Sequence, residues 1–406
     1  MEISVLQQYD VKHLTHIIPI RVMRVRVTIG MCLLVILASL LPLPVFAGPS
    51  WKVPRDFVSA FLIEAETGKI LFESNAYASR APASTTKLMT ALIVMDAIKA
   101  GRVALTDSVT ISRRSRRMGG SQVYLTEGEV FTLEELMQAL MIASANDASV
   151  AIAEYVGGGY EHFVEMMNRR ADQMGLKETI FYNTHGLDDL PSQRNLTCAY
   201  DLAQIARELV KYPKILEWTS TRSAPFRNNQ FTLNATNKLL GRIEGLDGLK
   251  TGFTWRAGFC LVGTAQQDGM RLISVILGSQ TSRGRFLSTK HLIETGFMRF
   301  EKVLLCREGQ SLGLTIPISG GDSEQLSLVA GRSVSIILPK EDRYRIRETY
   351  KTVNAAEAPV REGTPLGYRE VWVGDQVLAR IPAVASQSIS RAGFFRQLWR
   401  GLGLSR

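Results

Sequence analysis

The chain has 406 residues, of which 46% are hydrophobic, 21% charged and 8% aromatic. That length is comfortable for two domains, and the composition is globular, with apolar material for a sizeable core. The formal net charge of +10 favours an anionic partner such as acidic lipid or an anionic polymer, a merely soluble basic surface being the alternative; no stretch resembles a nucleic-acid module, so nucleic acid is not expected as a partner.

Residues 21–47 read RVMRVRVTIGMCLLVILASLLPLPVFA, three arginines before a long apolar run that ends in Val45-Phe46-Ala47. This predicts a secretory signal peptide over residues 1–47, cleaved after Ala47. The protein is then exported, to the periplasm or the outer face of the cytoplasmic membrane. A retained transmembrane anchor is the alternative, and Met23 is an alternative start. The exported part holds Cys198, Cys260 and Cys306, an odd number, so at least one stays free or pairs between chains. His162, His185 and His291 lack metal-ligand spacing, and no metal or other cofactor is expected.

In chain order, Phe57–Glu64 and ILFES read as a hairpin across the turn AETGK. Pro82 opens a helix in which Leu88, Ala91, Leu92, Met95 and Ile98 recur at helical spacing, ended by Gly101. Residues 112–128 form a polar loop with four arginines, a solvated surface or a contact for an anionic polymer. Phe131–Ala143 reads as a helix with a Thr132/Glu135 capping box. Further helices are expected from Asp147 toward Tyr155, over Phe163–Met174 and over Ala199–Tyr212. QFTLNAT, GLKTGFT, GFCLVGTA and RLISVILG then read as antiparallel strands, and Phe286–Phe297 as a helix. Early and late strands share one sheet around the helices, an α/β (α+β) unit over residues 48–300. From residue 301 to 385 short strands at close spacing predict a small all-β domain. In the tail, 390–406, Phe394, Phe395, Leu398, Trp399 and Leu402 share a helical face, with Arg391, Arg396 and Arg400 away from it. A basic amphipathic helix of this kind fits an anionic membrane surface, a helix packed back on the protein being the alternative.

Three short motifs carry the chemistry. Ser84 and Lys87, three residues apart, share a helix face. A serine hydroxyl needs a base, and lysine can be that base only if desolvation or a second cation lowers its pKa. Ser144 and Asn146, in SAND between two helices, offer a hydroxyl to relay protons and an amide to orient the lysine. Lys250 and Thr251, in KTG on a strand, offer the second cation and a donor for a substrate carboxylate. Gly252 removes a side chain so that an extended peptide can lie along the strand edge. Singly these motifs are weak. Together, each occurring once and in this order, they form the trio of penicillin-binding proteins and class A β-lactamases.

On these residues the chain resembles the low-molecular-mass penicillin-binding proteins that act as serine-type D-alanyl-D-alanine carboxypeptidases. AETGKIL, ASTTKLMTAL, SANDASVAIAE, FVEMMNRRADQMGLKETIFYNTHGL and GLDGLKTGFTWRAGFCLVGTA extend the likeness over residues 56–300. APVREGTPLG and VLARIPAVAS are similar to the family's C-terminal domain, and the tail to its membrane-anchoring helix. The resemblance implies the penicillin-binding-protein/β-lactamase-like transpeptidase fold, an antiparallel sheet with helices plus a small C-terminal all-β domain. It implies that Ser84 is the acylated nucleophile and Lys87 its base, with Ser144 and Asn146 assisting. Lys250 and Thr251 then bind the terminal carboxylate, and the backbone N–H groups of Ser84 and Phe253 form an oxyanion hole. Some relatives carry histidine where this chain has Phe253; a backbone role survives that change. The implied substrate is a peptidoglycan stem peptide ending in D-Ala-D-Ala, with β-lactams as inhibitors.

The rivals are a class A β-lactamase, a D,D-endopeptidase of the same fold, and a non-catalytic penicillin-sensing or wall-binding protein. The first needs a Glu-x-x-Leu-Asn stretch between Asn146 and Lys250, and none is present. The intact Ser84, Lys87 and Lys250 disfavour the last.

Overall fold

The computed structural model describes residues 51, 53, 54, 56–188 and 192–393. The expected signal peptide and the aromatic part of the tail lie outside the described residues.

The catalytic layer is a five-stranded antiparallel sheet with helices on both faces. Its strands are β1 (Ser59–Glu64), β2 (Ile70–Ser74), β3 (Leu246–Thr254), β4 (Gly258–Gln267) and β5 (Met270–Ser279), in the order β2-β1-β5-β4-β3. Early and late strands therefore share the sheet, as expected, through β1 pairing with β5. Strands β4 and β5 are nearly continuous apolar runs because both faces are covered, and β3 is left as an edge.

The helices are α1 (Lys87–Lys99), α2 (Leu133–Ile142), α3 (Asn146–Gly157), α4 (Tyr160–Gln173), α5 (Ala199–Leu209), α6 (Pro213–Ser220) and α7 (Ser282–Arg299). Helix α1 is apolar all round, with Leu88, Met89, Ala91, Leu92 and Val94 fully buried, so it runs through the core rather than along the surface. Each such side chain contributes about 1.5–3 kcal/mol by leaving water. The expected capping box starts α2: the Thr132 hydroxyl accepts from the Glu135 N–H, and the Glu135 carboxylate accepts from the Thr132 N–H.

Three details differ from the sequence reading. Pro82 does not open an α-helix directly; Ala83–Thr86 form a 3₁₀ turn and regular helix begins at Lys87. The helix expected to reach Tyr212 stops at Leu209, because Pro213 opens the separate helix α6. The arginine loop contains one helical turn, Arg113–Arg116, capped by the Ser112 hydroxyl. Within it Arg114 pairs with Glu161 at 2.7 Å and lies 3.7 Å over the Tyr160 ring, so it is committed to the fold. Cys198, Cys260 and Cys306 are all buried and free.

Strand follows helix without a linker at Arg299–Phe300. The following residues form a six-stranded sheet and a two-stranded ribbon around their own core of Leu326, Leu328, Val371, Ile381 and Ala383. Lys302 ties this part to the catalytic layer by pairing with Glu66 in the β1–β2 turn. Past the last strand, which ends at Ala385, Ile389 bridges Val360 and the Ala392 N–H donates to the Gly320 carbonyl.

Candidate active site

The start of α1, the α2–α3 corner, the 183–187 loop and the edge strand β3 meet at Lys87. Its side chain is fully buried. Nζ lies 3.2 Å from Ser84 Oγ, 2.6 Å from Asn146 Oδ1 and 3.0 Å from the His185 carbonyl oxygen. As an ammonium, Lys87 donates to all three. As a neutral amine it donates two N–H groups, to Asn146 and His185, and its lone pair accepts the Ser84 hydroxyl. The two fixed acceptors thus aim the lone pair at the serine.

Burial favours that neutral form. It pushes the Lys87 pKa well below 10.5, and the Lys250 cation adds to the effect, opposed by Asp147. Lys250, 1% exposed, is itself pushed down to about 7 by burial and then by Arg285. A bound carboxylate would return Lys250 to its ammonium form. The sequence reading named desolvation and a second cation as what could lower Lys87; both act, and desolvation is the larger.

Ser84 is held by an unusual backbone. Ala83 stands at φ +48°, and the Thr85 N–H donates to the Pro82 carbonyl. The Ser84 N–H has no hydrogen-bond acceptor among the described residues, which leaves it available to a ligand. Strained residues of this kind persist where the surrounding structure over-determines them. Ser144 is a second one, at φ +63° and 3% exposed. It sits at the corner before α3, but Lys87's acceptors do not include its hydroxyl. Asn146, in contrast, bridges: its Oδ1 takes Lys87 and its Nδ2 donates to the Gly119 carbonyl at 2.6 Å.

On β3, Thr251 Oγ1 donates to Thr236 Oγ1 at 2.6 Å, and Lys250 Nζ donates to the Thr251 carbonyl at 3.0 Å. Gly252 has a packing purpose beside the expected one. A Cβ there would point at the serine turn, 3.0 Å from Ser84 N and 3.1 Å from both Ala83 Cβ and Pro82 O. Its bare backbone lets β3 pack on the Ser84 turn. Phe253 is 39% exposed, its ring stacked on Phe259 with centroids 4.2 Å apart.

The sequence reading missed several contributors. His185 supplies a carbonyl, and burial, then Lys87 and Arg114, push its own pKa down to about 3, so the ring is neutral. Its Nδ1 accepts from the Leu187 N–H, which fixes the tautomer with hydrogen on Nε2. Gly186, at φ +86°, lies so close that a Cβ would fall 1.8 Å from the Ala83 carbonyl oxygen. The signal for both was NTHGL, which the sequence reading took as part of the family likeness without giving its residues a role. Asp147, the last letter of SAND, accepts the Val123 and Leu125 N–H groups and pins the wall of the cleft. Arg285, on α7, donates to the Gly252 carbonyl at 2.9 Å.

Comparison with known proteins agrees with this geometry. Residues 55–281 match the family model for D-alanyl-D-alanine carboxypeptidases, and 300–391 match the C-terminal domain of penicillin-binding protein 5. The chain is 36% identical over 356 residues to the D-alanyl-D-alanine carboxypeptidase DacF of Bacillus subtilis, covering 87% of this chain and 90% of that one. The crystal structure of penicillin-binding protein 5 from Haemophilus influenzae superposes with a TM-score of 0.74 at 29% identity, covering 84% of this chain and 99% of that one. Penicillin-binding protein D2 of Listeria monocytogenes, solved in an ampicillin-bound form, gives a TM-score of 0.56 at 32% identity over 61% of this chain and 100% of that one. The fold is that of the penicillin-binding proteins, and the chain belongs to the D-alanyl-D-alanine carboxypeptidase family of serine peptidases.

Proposed function

We propose that this protein removes the terminal D-alanine from peptidoglycan stem pentapeptides through an acyl-enzyme on Ser84. One observation carries the reading: a fully buried lysine whose two fixed acceptors, Asn146 and His185, turn its lone pair onto a serine hydroxyl.

The reaction uses these groups in turn. Lys250 and Thr251 hold the substrate's terminal carboxylate. Neutral Lys87 takes the Ser84 proton as Oγ bonds to the penultimate carbonyl carbon. The oxyanion is met by the Ser84 and Phe253 backbone N–H groups. The carbon–nitrogen bond then breaks, and the leaving amine takes a proton from the Lys87 ammonium, with the Ser144 hydroxyl as relay. Water, deprotonated by Lys87, attacks the ester, and Ser84 regains its hydrogen. β-Lactams present a carboxylate and a strained amide to the same groups, and so acylate Ser84. The match of residues 300–391 to a carboxypeptidase's C-terminal domain favours this reading over the endopeptidase.

The protein acts outside the cytoplasmic membrane, exported by its first 47 residues and held at the surface by its last 17. The apolar run after Arg26 and the aromatic face of the tail support this. Among the described residues no helix is long and apolar enough to cross a membrane.

The deciding experiment measures D-alanine release from a soluble pentapeptide ending in D-Ala-D-Ala, with Ser84→Ala as control. Release by the wild type alone is the expected result, with the variant slower by about 10⁴-fold or more. No release by the wild type overturns the carboxypeptidase, and a cross-linked peptide then tests the endopeptidase.

A further inference from the structure

Trp255 is 95% exposed, the largest exposed apolar side chain among the described residues. It is not adrift. Its ring meets Phe253 edge to face with centroids 5.5 Å apart, Phe253 stacks on Phe259, and the Arg285 guanidinium lies 5.2 Å over Phe259. Arg285 also holds the Gly252 carbonyl, so this aromatic ladder is fixed to the strand that carries the KTG motif. An exposed Trp beside a cleft, with an aromatic ring behind it, can anchor an apolar ligand group.

The order of groups along β3 says which group. The substrate carboxylate belongs at Lys250 and Thr251, and the scissile carbonyl at the Phe253 N–H. A peptide laid along this free edge therefore continues, on its acyl side, past Thr254 toward Trp255. Two residues of strand cover about 7 Å. Trp255 is the first residue of the turn after β3 ends at Thr254, so it stands at the end of the edge, where the residue preceding D-Ala-D-Ala leaves the strand.

We propose that Trp255, backed by Phe253, is a specificity-determining contact for the acyl donor, receiving the aliphatic part of the residue before D-Ala-D-Ala and the apolar acylamino substituent of a β-lactam. The inference rests on Ser84 being the acylated nucleophile.

The test uses the full chain and two penams that differ only in that substituent: benzylpenicillin, with a phenylacetyl group, and 6-aminopenicillanic acid, with none. Second-order rate constants for Ser84 acylation are read by intact mass. In Trp255→Ala the ratio of the benzylpenicillin constant to the 6-aminopenicillanic acid constant falls about tenfold, and Trp255→Phe recovers most of it. A ratio unchanged in Trp255→Ala, with the wild type acylated normally, overturns the inference alone. A wild type that accepts neither penam at Ser84 overturns the carboxypeptidase reading and this inference with it. Because Trp255 is almost wholly exposed, the alanine variant does not put folding at stake.

Discussion

Lys87 Nζ and Asn146 Oδ1 lie 2.6 Å apart, although 59 residues separate them in the chain. This contact joins the nucleophile's helix to the α2–α3 corner, and through Asn146 Nδ2 to the Gly119 carbonyl on the cleft wall. In the proposed reaction it makes Lys87 a directed base rather than a buried cation.

That direction depends on a neutral amide. In Asn146→Asp a carboxylate replaces it, and its charge favours the Lys87 ammonium. The acid limb of the acylation rate profile should move to higher pH by more than about one unit, with the rate at neutral pH down about tenfold or more. An acid limb that stays in place would assign it to a group other than Lys87.

The wild-type profile should be bell-shaped. Activity rises with pH as Lys87, lowered by burial and by Lys250, gives up its proton. It falls above about 7 as free Lys250 loses the charge that attracts the carboxylate. Lys250→Arg keeps a cation at higher pH, so its alkaline limb should shift upward in kcat/KM. Stability has its own sign. Lys250 binds fewer protons folded than unfolded between about 7 and 10.5, so its burial costs less stability as pH rises through that window. The Tm of Lys250→Met should accordingly rise less with pH there than that of the wild type.

Gly252→Ala tests the packing of β3 on the serine turn. The new Cβ would sit 3.0 Å from Ser84 N, against backbone that cannot swing aside. The turn must move, so Ser84 acylation by benzylpenicillin should slow by about 10–100-fold. Stability should fall by only about 1–3 kcal/mol, measured by denaturant unfolding. Full acylation speed would show that the turn yields without cost.

The membrane reading is tested by ending the chain after Gly393. This keeps the Arg391 Nε bond to the Ala358 carbonyl, the Ala392 bond to Gly320 and the Ile389–Val360 bridge. The shortened protein should leave the membrane fraction with its Tm and its activity on soluble peptide intact. A cut before Ser390 leaves the Ile389–Val360 bridge but removes the Arg391 and Ala392 bonds, and should lower the Tm. A full-length protein found wholly in the soluble fraction would end the anchoring proposal.

The sequence by itself determined the chemistry-bearing groups. Ser84, Lys87, Ser144, Asn146, Lys250 and Thr251 are legible because each motif is local, and a reaction needing a hydroxyl, a desolvated amine and a carboxylate clamp restricts the residue types. The strand and helix periods also placed the elements, since burial on a sheet or helix face repeats at 2 or 3.6 residues. Only the tertiary structure decided how those groups meet. The His185 carbonyl is a backbone atom and has no residue signature, yet it is one of the two acceptors that orient Lys87. Gly252 and Gly186 are spacers for other segments' backbones, 3.0 Å and 1.8 Å from an added Cβ, and such distances exist only between elements far apart in the chain. The lysine pKa values were out of reach for the same reason: desolvation, their largest cause, is a property of everything packed around the side chain rather than of its neighbours in sequence.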